Sequence, residues 1–244
     1  MTTDYPALLP SIPLIAFDLD GTLANTEALS LPSAVETMRG FGVPVTLEYW
    51  YEHLHGRSGQ SLIDAIQEQF GIAVDLKEFL RRRAEMVPVM FENGVEPAPG
   101  MLQALRNLVV GGQQVCICSN STPARIAFTL EKITGQHSAG MNLPHLFEGH
   151  MYSASGADGS GKAKPAPDVY VNTAIRYKAD ATRCVAVEDS PVGVAAAVGA
   201  GYICVGYTGL GHGDKNEVAQ SLKEAGAHHI LHHWDDFIPL LKTL

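Results

Sequence analysis

Leu14-Ile15-Ala16-Phe17-Asp18-Leu19-Asp20-Gly21-Thr22 is the stretch on which the fold of this chain turns. Its first four residues are apolar with no polar alternation, the pattern of a strand buried on both faces in a parallel sheet. Gly21 then breaks the strand at its carboxyl end, where open α/β sheets gather their ligands. Side chains two apart on an extended segment point the same way, so Asp18 and Asp20 can enter one pocket. Two neighbouring carboxylates repel unless a cation or a shared proton stands between them. The competing reading is a plain Asp-Gly turn that closes a strand.

Outward from that stretch, strand-like and helix-like segments alternate. Strands are expected near 13–18, 113–118, 150, 183–187, 202–206 and 228–231, with helices at 99–110, 122–134, 167–178, 191–200, 215–225 and 235–243. Such βα repetition implies an α/β fold, a Rossmann-like doubly wound parallel sheet whose right-handed crossovers bring strand ends to one edge. Three further segments fall at such ends. Ser119-Asn120-Ser121 follows Val115-Cys116-Ile117-Cys118, Lys164-Pro165-Ala166-Pro167-Asp168 precedes a helix, and Val187-Glu188-Asp189-Ser190 closes another apolar run.

In this order, and over residues 14 to about 206, the four segments resemble the four motifs of the haloacid dehalogenase superfamily. The resemblance implies phosphoryl transfer, and each residue type suits its implied task. Asp18 is the implied nucleophile, whose aspartyl phosphate divides one hard displacement into two easier ones. Asp20 is the implied general acid for the leaving alcohol and then the base for water. Mg2+ is the implied cofactor, held by Asp18, Asp189 and the Asp20 backbone carbonyl, with Glu188 adding a direct or outer contact. Ser119 and Asn120 offer donors to the phosphate, and Lys164 a fixed positive charge. Dehalogenases and phosphonate hydrolases of the family lack an aspartate at the Asp20 position, so a phosphatase is expected. Competing readings stand beside these. Ser119-Asn120-Ser121 could cap the following helix and Lys164 could be a solvated loop lysine; Lys162 could substitute for it, but only Lys164 fits the Lys-Pro-x-Pro-Asp pattern, and Asp168 reads as a helix-start residue or one that supports the site from behind.

Between Leu23 and Glu96 the strand pattern stops. Amphipathic helices are expected at Leu31 to Phe41, Leu47 to His55, Ser61 to Phe70 and Leu76 to Phe91. This gives a helical cap domain at 25–96 inserted in a core domain of 1–24 and 97–244, as in the subfamily that includes β-phosphoglucomutase and many sugar phosphatases. Ala24-Asn25-Thr26-Glu27 and Glu96-Pro97-Ala98-Pro99-Gly100 are the expected hinges. His53, His55, Arg57, Ser58 and Gln60 fall where that subfamily places its specificity loop. Of these His55, Arg57 and Ser58 are candidate substrate-binding residues, with Arg57 suited to a carboxylate or distal phosphate; an ordinary interhelical loop is the alternative. The mutase uses a histidine ten residues after its second aspartate, and here that position is Ser30. Hydrolysis is therefore expected over a phosphomutase, and a receiver-like signalling module, which needs neither Asp20 nor a cap, stands further off.

The 244 residues suffice for one large domain with an insertion, and 46% hydrophobic content for a proper core. A net charge of −9 offers no basic footprint for nucleic acid or an anionic membrane. The expected partner is a small phosphorylated metabolite, and the expected state a monomer or else a dimer. Cys116, Cys118, Cys184 and Cys204 lie in or beside apolar runs, which fits core thiols in a reducing compartment. The first 13 residues lack the basic-then-apolar order of a signal peptide, so a cytoplasmic protein is expected. Residues 190–213 carry no Asp, Glu, Lys or Arg, yet seven of them are glycine, which reads as a buried helix, turn and strand rather than a span.

Three patterns mislead. Gly156 to Lys162 approximates a nucleotide-binding P-loop, but Ala163 replaces the hydroxyl that reaches the metal and Pro165 and Pro167 forbid the helix. His228, His229, His232 and His233 suggest a metal site, since imidazole binds transition metals, but with no acidic or thiol partner obvious nearby they read as a strand end and polar turn. Arg81, Arg82 and Arg83, consecutive on a helix, must spread over different faces.

Overall fold

The computed structural model describes residues 11–54, 59–137, 140–154, 156, 161–210 and 214–244. Six strands, β1 (Ile15–Phe17), β2 (Val115–Ser119), β3 (Met151–Ser153), β4 (Val185–Glu188), β5 (Ile203–Tyr207) and β6 (His229–Leu231), form one parallel sheet in the order β3-β2-β1-β4-β5-β6. β1 is only three residues long but lies at the middle, with Ala16 between Cys116 and Ala186. All three of its residues are inaccessible to solvent, which explains the unbroken apolar run. The chain winds from β1 out to β3 and then crosses back to β4 on the other side of β1. That reversal opens a crevice beyond the carboxyl ends of β1 and β4.

Alternate residues serve the two faces of the sheet. Ala16, Cys116, Cys118, Ala186 and Cys204 pack with Val169, Tyr170 and Ala174 of helix Asp168–Tyr177 and with Val194, Ala196 and Ala197 of helix Pro191–Gly199. On the other face the Phe17 ring lies 5.8 Å from Trp234 and 6.1 Å from Phe237. The four cysteines are free and buried. The uncharged segment after Ser190 resolves into that second helix and β5, and among the described residues no helix is long and apolar enough to cross a membrane.

The chain divides into two compact units, Met1–Asn25 with Val95–Leu244, and Thr26–Gly94. In the first, Ala24 pairs antiparallel with Pro97, and the Asn25 N–H donates to the Glu96 carbonyl at 2.8 Å. Among the described residues the elements of the second are helices, of which Glu27–Arg39, Gly59–Phe70 and Leu76–Met90 enclose Met38, Ile66 and Phe79.

Two expectations about helices need correction. The helix expected at Leu47 to His55 is one α-turn, Leu47–Tyr49, which widens into a π-helical turn, Trp50–Leu54. Helix Glu27–Arg39 starts a turn earlier than its apolar pattern and runs through Pro32. That proline lacks an N–H, and side-chain bonds support the helix around it: Ser33 Oγ donates to the Ser30 carbonyl at 2.8 Å and Thr37 Oγ1 to the Ser33 carbonyl at 2.7 Å.

Candidate active site

The ends of the three central strands converge. Asp18 follows β1 and extends its pairing, its N–H donating to the Val187 carbonyl at 2.9 Å. Ser119 is the last residue of β2, Glu188 the last of β4, and Asp189 the next. Lys164 arrives from the loop before helix Asp168–Tyr177 and ties them together. An ammonium has three hydrogens, and all three are used: Nζ donates to Asp18 Oδ1 at 2.7 Å, to the Cys118 carbonyl at 2.7 Å and to Glu188 Oε1 at 2.5 Å. With its side chain 3% exposed, Lys164 is no solvated loop lysine.

The loop that delivers it is itself held. Asn120 Oδ1 accepts from the Lys164 backbone N–H at 2.8 Å, which fixes the orientation of that amide and turns its NH2 group the other way. The Lys164–Pro165 peptide is cis. Lys162 is engaged elsewhere, 3.2 Å from Asp168 Oδ1 at the start of the helix.

Charge in the cluster is unbalanced. Burial pushes the Asp18 carboxyl above its ordinary range, Lys164 pulling it down and Glu188 pushing it up again. Burial alone would lower the Lys164 ammonium, but Asp18 and Glu188 outweigh it and hold it above its usual value. Tyr170 donates its hydroxyl to Glu188 Oε1, and burial with the adjacent Glu188 charge holds that phenol well above its usual range, so it stays a donor. One ammonium, bonded to Asp18 and Glu188, therefore serves a cluster of three carboxyl groups, since Asp18, Glu188 and Asp189 each bring one oxygen within 4.8 Å of the others.

These residues fit a divalent cation. Glu188 Oε2 is buried with no hydrogen-bond partner, a costly condition for an anionic oxygen. The donor set is all hard oxygen, as magnesium requires. Two glycines make room for it: a Cβ on Gly193 would stand 1.8 Å from Glu188 Oε2, and one on Gly21 would stand 1.9 Å from Asp189 Oδ2. Among the described residues this is the one cluster of three potential ligands of its kind.

Asp20 lies nearer the surface, its side chain 31% exposed. Ser121 Oγ donates to Asp20 Oδ2 at 2.7 Å, and Arg125 Nη2 lies 3.6 Å from Oδ1. Burial lowers the Arg125 guanidinium from its usual value while Asp20 opposes the change. Ser119 is buried, and its Oγ accepts from the Ser121 N–H at 3.1 Å. The helix cap expected of Ser119-Asn120-Ser121 falls instead on Thr122, whose Oγ1 accepts from the Arg125 N–H at 3.3 Å. A cap must sit next to the first helical turn, and these three residues are turned toward the strand ends.

Thus Asp18, Glu188, Asp189 and Lys164 come together, with Asp20, Ser119 and Asn120 bordering them. His55, Arg57 and Ser58 lie outside the described residues. Beside them, His53 stacks on Tyr49 with ring centroids 4.4 Å apart, and Gln60 donates to Asp64 at 2.8 Å. The histidine run does local work: His228 Nδ1 accepts from the Cys204 N–H at 3.0 Å, and His232 Nδ1 lies 2.7 Å from Thr208 Oγ1. Arg81 and Arg82 share Glu78, with Arg81 also reaching Glu85 and Arg82 lying over the Phe41 ring, and Arg83 alone turns away, to Ser30 Oγ. Sequence reasoning missed Tyr170, which sits on an apolar helix face with no local mark of its role, and Arg125. It passed over Ser121 as a companion of Ser119, although both lie in one motif.

Comparison with known proteins points to one family. A sequence model for haloacid dehalogenase-like hydrolases matches residues 12–201. A CBBY-like protein of Arabidopsis thaliana is 28% identical over 82% of this chain, which spans 65% of that relative's length, just under two thirds. The fructose-1-phosphate phosphatase YqaB of Escherichia coli is 27% identical over 77% of this chain and 92% of its own. The crystal structure of a hydrolase of the same family from Deinococcus radiodurans, with bound phosphate and sodium, superposes with a TM-score of 0.75 at 25% identity, covering 96% of each chain.

Proposed function

The chain belongs to the haloacid dehalogenase-like hydrolases, and from that premise we propose that it is a magnesium-dependent phosphatase acting on a small phosphate monoester, a sugar or sugar-acid phosphate. The observation that carries the reading is the buried Asp18–Lys164–Glu188 cluster with Asp189 beside it and Asp20 two residues beyond the nucleophile position. The similarity to a sugar-phosphate phosphatase and to a family hydrolase with bound phosphate supports the substrate class.

A carboxylate oxygen of Asp18 attacks phosphorus, the ester oxygen departs, and Asp20 gives that oxygen its proton. Water then attacks the aspartyl phosphate as Asp20, now a carboxylate, takes a proton from it; inorganic phosphate leaves and Asp18 is restored. Lys164 offsets the negative charge of the nucleophile and of the phosphoryl group it receives. Asn120 and Ser119 line the strand end where that group would lie. Asp18, Asp189, Glu188 and the Asp20 carbonyl would hold magnesium, which when bound would supply positive charge that lets one anion approach another. The mutase alternative is disfavoured by Ser30, which accepts from Arg83 Nη2 at 2.6 Å and brings no imidazole.

The test is a panel of sugar, polyol, nucleotide and glycolate phosphates with Mg2+, with Asp18→Asn as control. Phosphate release by the unaltered protein and near-total loss in Asp18→Asn are expected, because an amide cannot attack phosphorus as a carboxylate does. Activity near wild type in Asp18→Asn, or conversion of a glucose 1-phosphate to the 6-phosphate without free phosphate, would overturn the proposal.

A further inference from the structure

Asp20 is held by a device that the catalytic set does not include. Ser121 Oγ donates to Asp20 Oδ2 at 2.7 Å, and Ser121 is itself fixed at both backbone groups. Its N–H donates to Ser119 Oγ at 3.1 Å, and its carbonyl accepts from Ser153 Oγ at 2.7 Å. Ser119 and Ser153 are register partners at the ends of β2 and β3, so the sheet itself sets where the Ser121 hydroxyl stands. In the first turn of helix Pro123–His137, Arg125 places Nη2 3.6 Å from the other oxygen, Oδ1, while its Nε donates to Thr129 Oγ1 at 3.2 Å.

From this arrangement we infer that Ser121 is a positioning residue for proton transfer. By holding Asp20 Oδ2 it fixes the orientation of the carboxyl group that gives a proton to the leaving alcohol and collects one from water. The inference rests on the proposed phosphatase reading, and it deepens that reading by assigning a partner to the general acid. A side chain that is a third exposed has rotamers to spare, and a misdirected acid loses much of its effect even when its chemistry is unchanged. Acting through Asp20, a residue of this kind should matter only in proportion to how much the leaving group needs a proton.

Leaving-group dependence therefore separates this role from simple structural support. Phosphoryl transfer from 4-nitrophenyl phosphate expels a stabilised anion and needs little help, whereas a sugar alkoxide needs its proton during departure. The value of kcat/KM reports steps up to formation of the aspartyl phosphate, so it isolates that departure. In Ser121→Ala, kcat/KM for the best sugar phosphate of the panel should fall roughly tenfold to a hundredfold, a fraction of the full worth of a general acid. The value for 4-nitrophenyl phosphate should stay within about threefold of the unaltered enzyme, by the same argument. Ser121→Thr, which keeps the hydroxyl, should restore most of the sugar phosphate activity. Equal losses on both substrates, or no loss on either, would overturn the inference while leaving the phosphatase reading in place. Failure of the unaltered protein to release phosphate from any member of the panel would overturn that reading instead, and this inference with it.

Discussion

Gly193 lacks a side chain where a single methyl group would stand 1.8 Å from the buried, unpartnered oxygen of Glu188. It lies inside helix Pro191–Gly199, where alanine is ordinarily favoured over glycine by about 1 kcal/mol. Packing overrides propensity here, because the carboxylate has little room to move: Lys164 and Tyr170 both hold its other oxygen. Gly193→Ala should displace Glu188 and weaken Mg2+ binding about ten- to a hundredfold, the usual cost of disturbing what orients a metal ligand. Titration with Mn2+ followed by electron paramagnetic resonance would measure it without recourse to turnover. The same residue shows a limit of sequence reading. Asp18, Asp20, Glu188 and Asp189 announce themselves by charge beside an apolar run, whereas a glycine in a stretch with seven of them looks like any other.

At the scale of elements, legibility followed burial and length. β1, β2 and β4 are buried on both faces and left unbroken apolar runs, so their places could be read directly. The turn Leu143–Leu146 went unread because four residues cannot display a helical period, and only the Asn142 side chain, which accepts from the His145 N–H at 3.1 Å, marks its start. A stronger cap begins helix Leu76–Met90, where Asp75 Oδ1 accepts from the Glu78 N–H at 2.7 Å. Few residues of that helix are buried, so tertiary packing contributes less to it than to its neighbours and the cap matters correspondingly more. Asp75→Ala should destabilise the helical unit by about 1 kcal/mol, read as faster hydrogen exchange in residues 76–90 with exchange in β1–β6 unchanged. A uniform acceleration across the whole chain would contradict that assignment.

For the whole molecule, the strand order β3-β2-β1-β4-β5-β6 places an excess of negative charge at one sheet edge, which a divalent cation would relieve. Binding to the folded state alone stabilises by mass action, about 2.7 kcal/mol when Mg2+ is 100-fold above its dissociation constant. In a chain of 244 residues this should raise the melting temperature of the sheet-bearing unit by roughly 5–10 °C. Chelation should reverse the shift, and Asp189→Asn should largely abolish it; an unchanged melting curve would remove the metal from this site. Fold class, the order of the motifs and the identity of the acidic residues were determined by the sequence alone, because apolar periodicity and charge are local properties that each segment carries with it. Only the tertiary structure decided that Lys164 bonds to Asp18 and Glu188 at once, that Ser121 turns to Asp20 instead of capping a helix, and that Tyr170 and Gly193 shape the surroundings of Glu188. Those contacts join residues 5 to 146 positions apart, and which side chain meets which depends on strand register and crossover, quantities no single segment encodes.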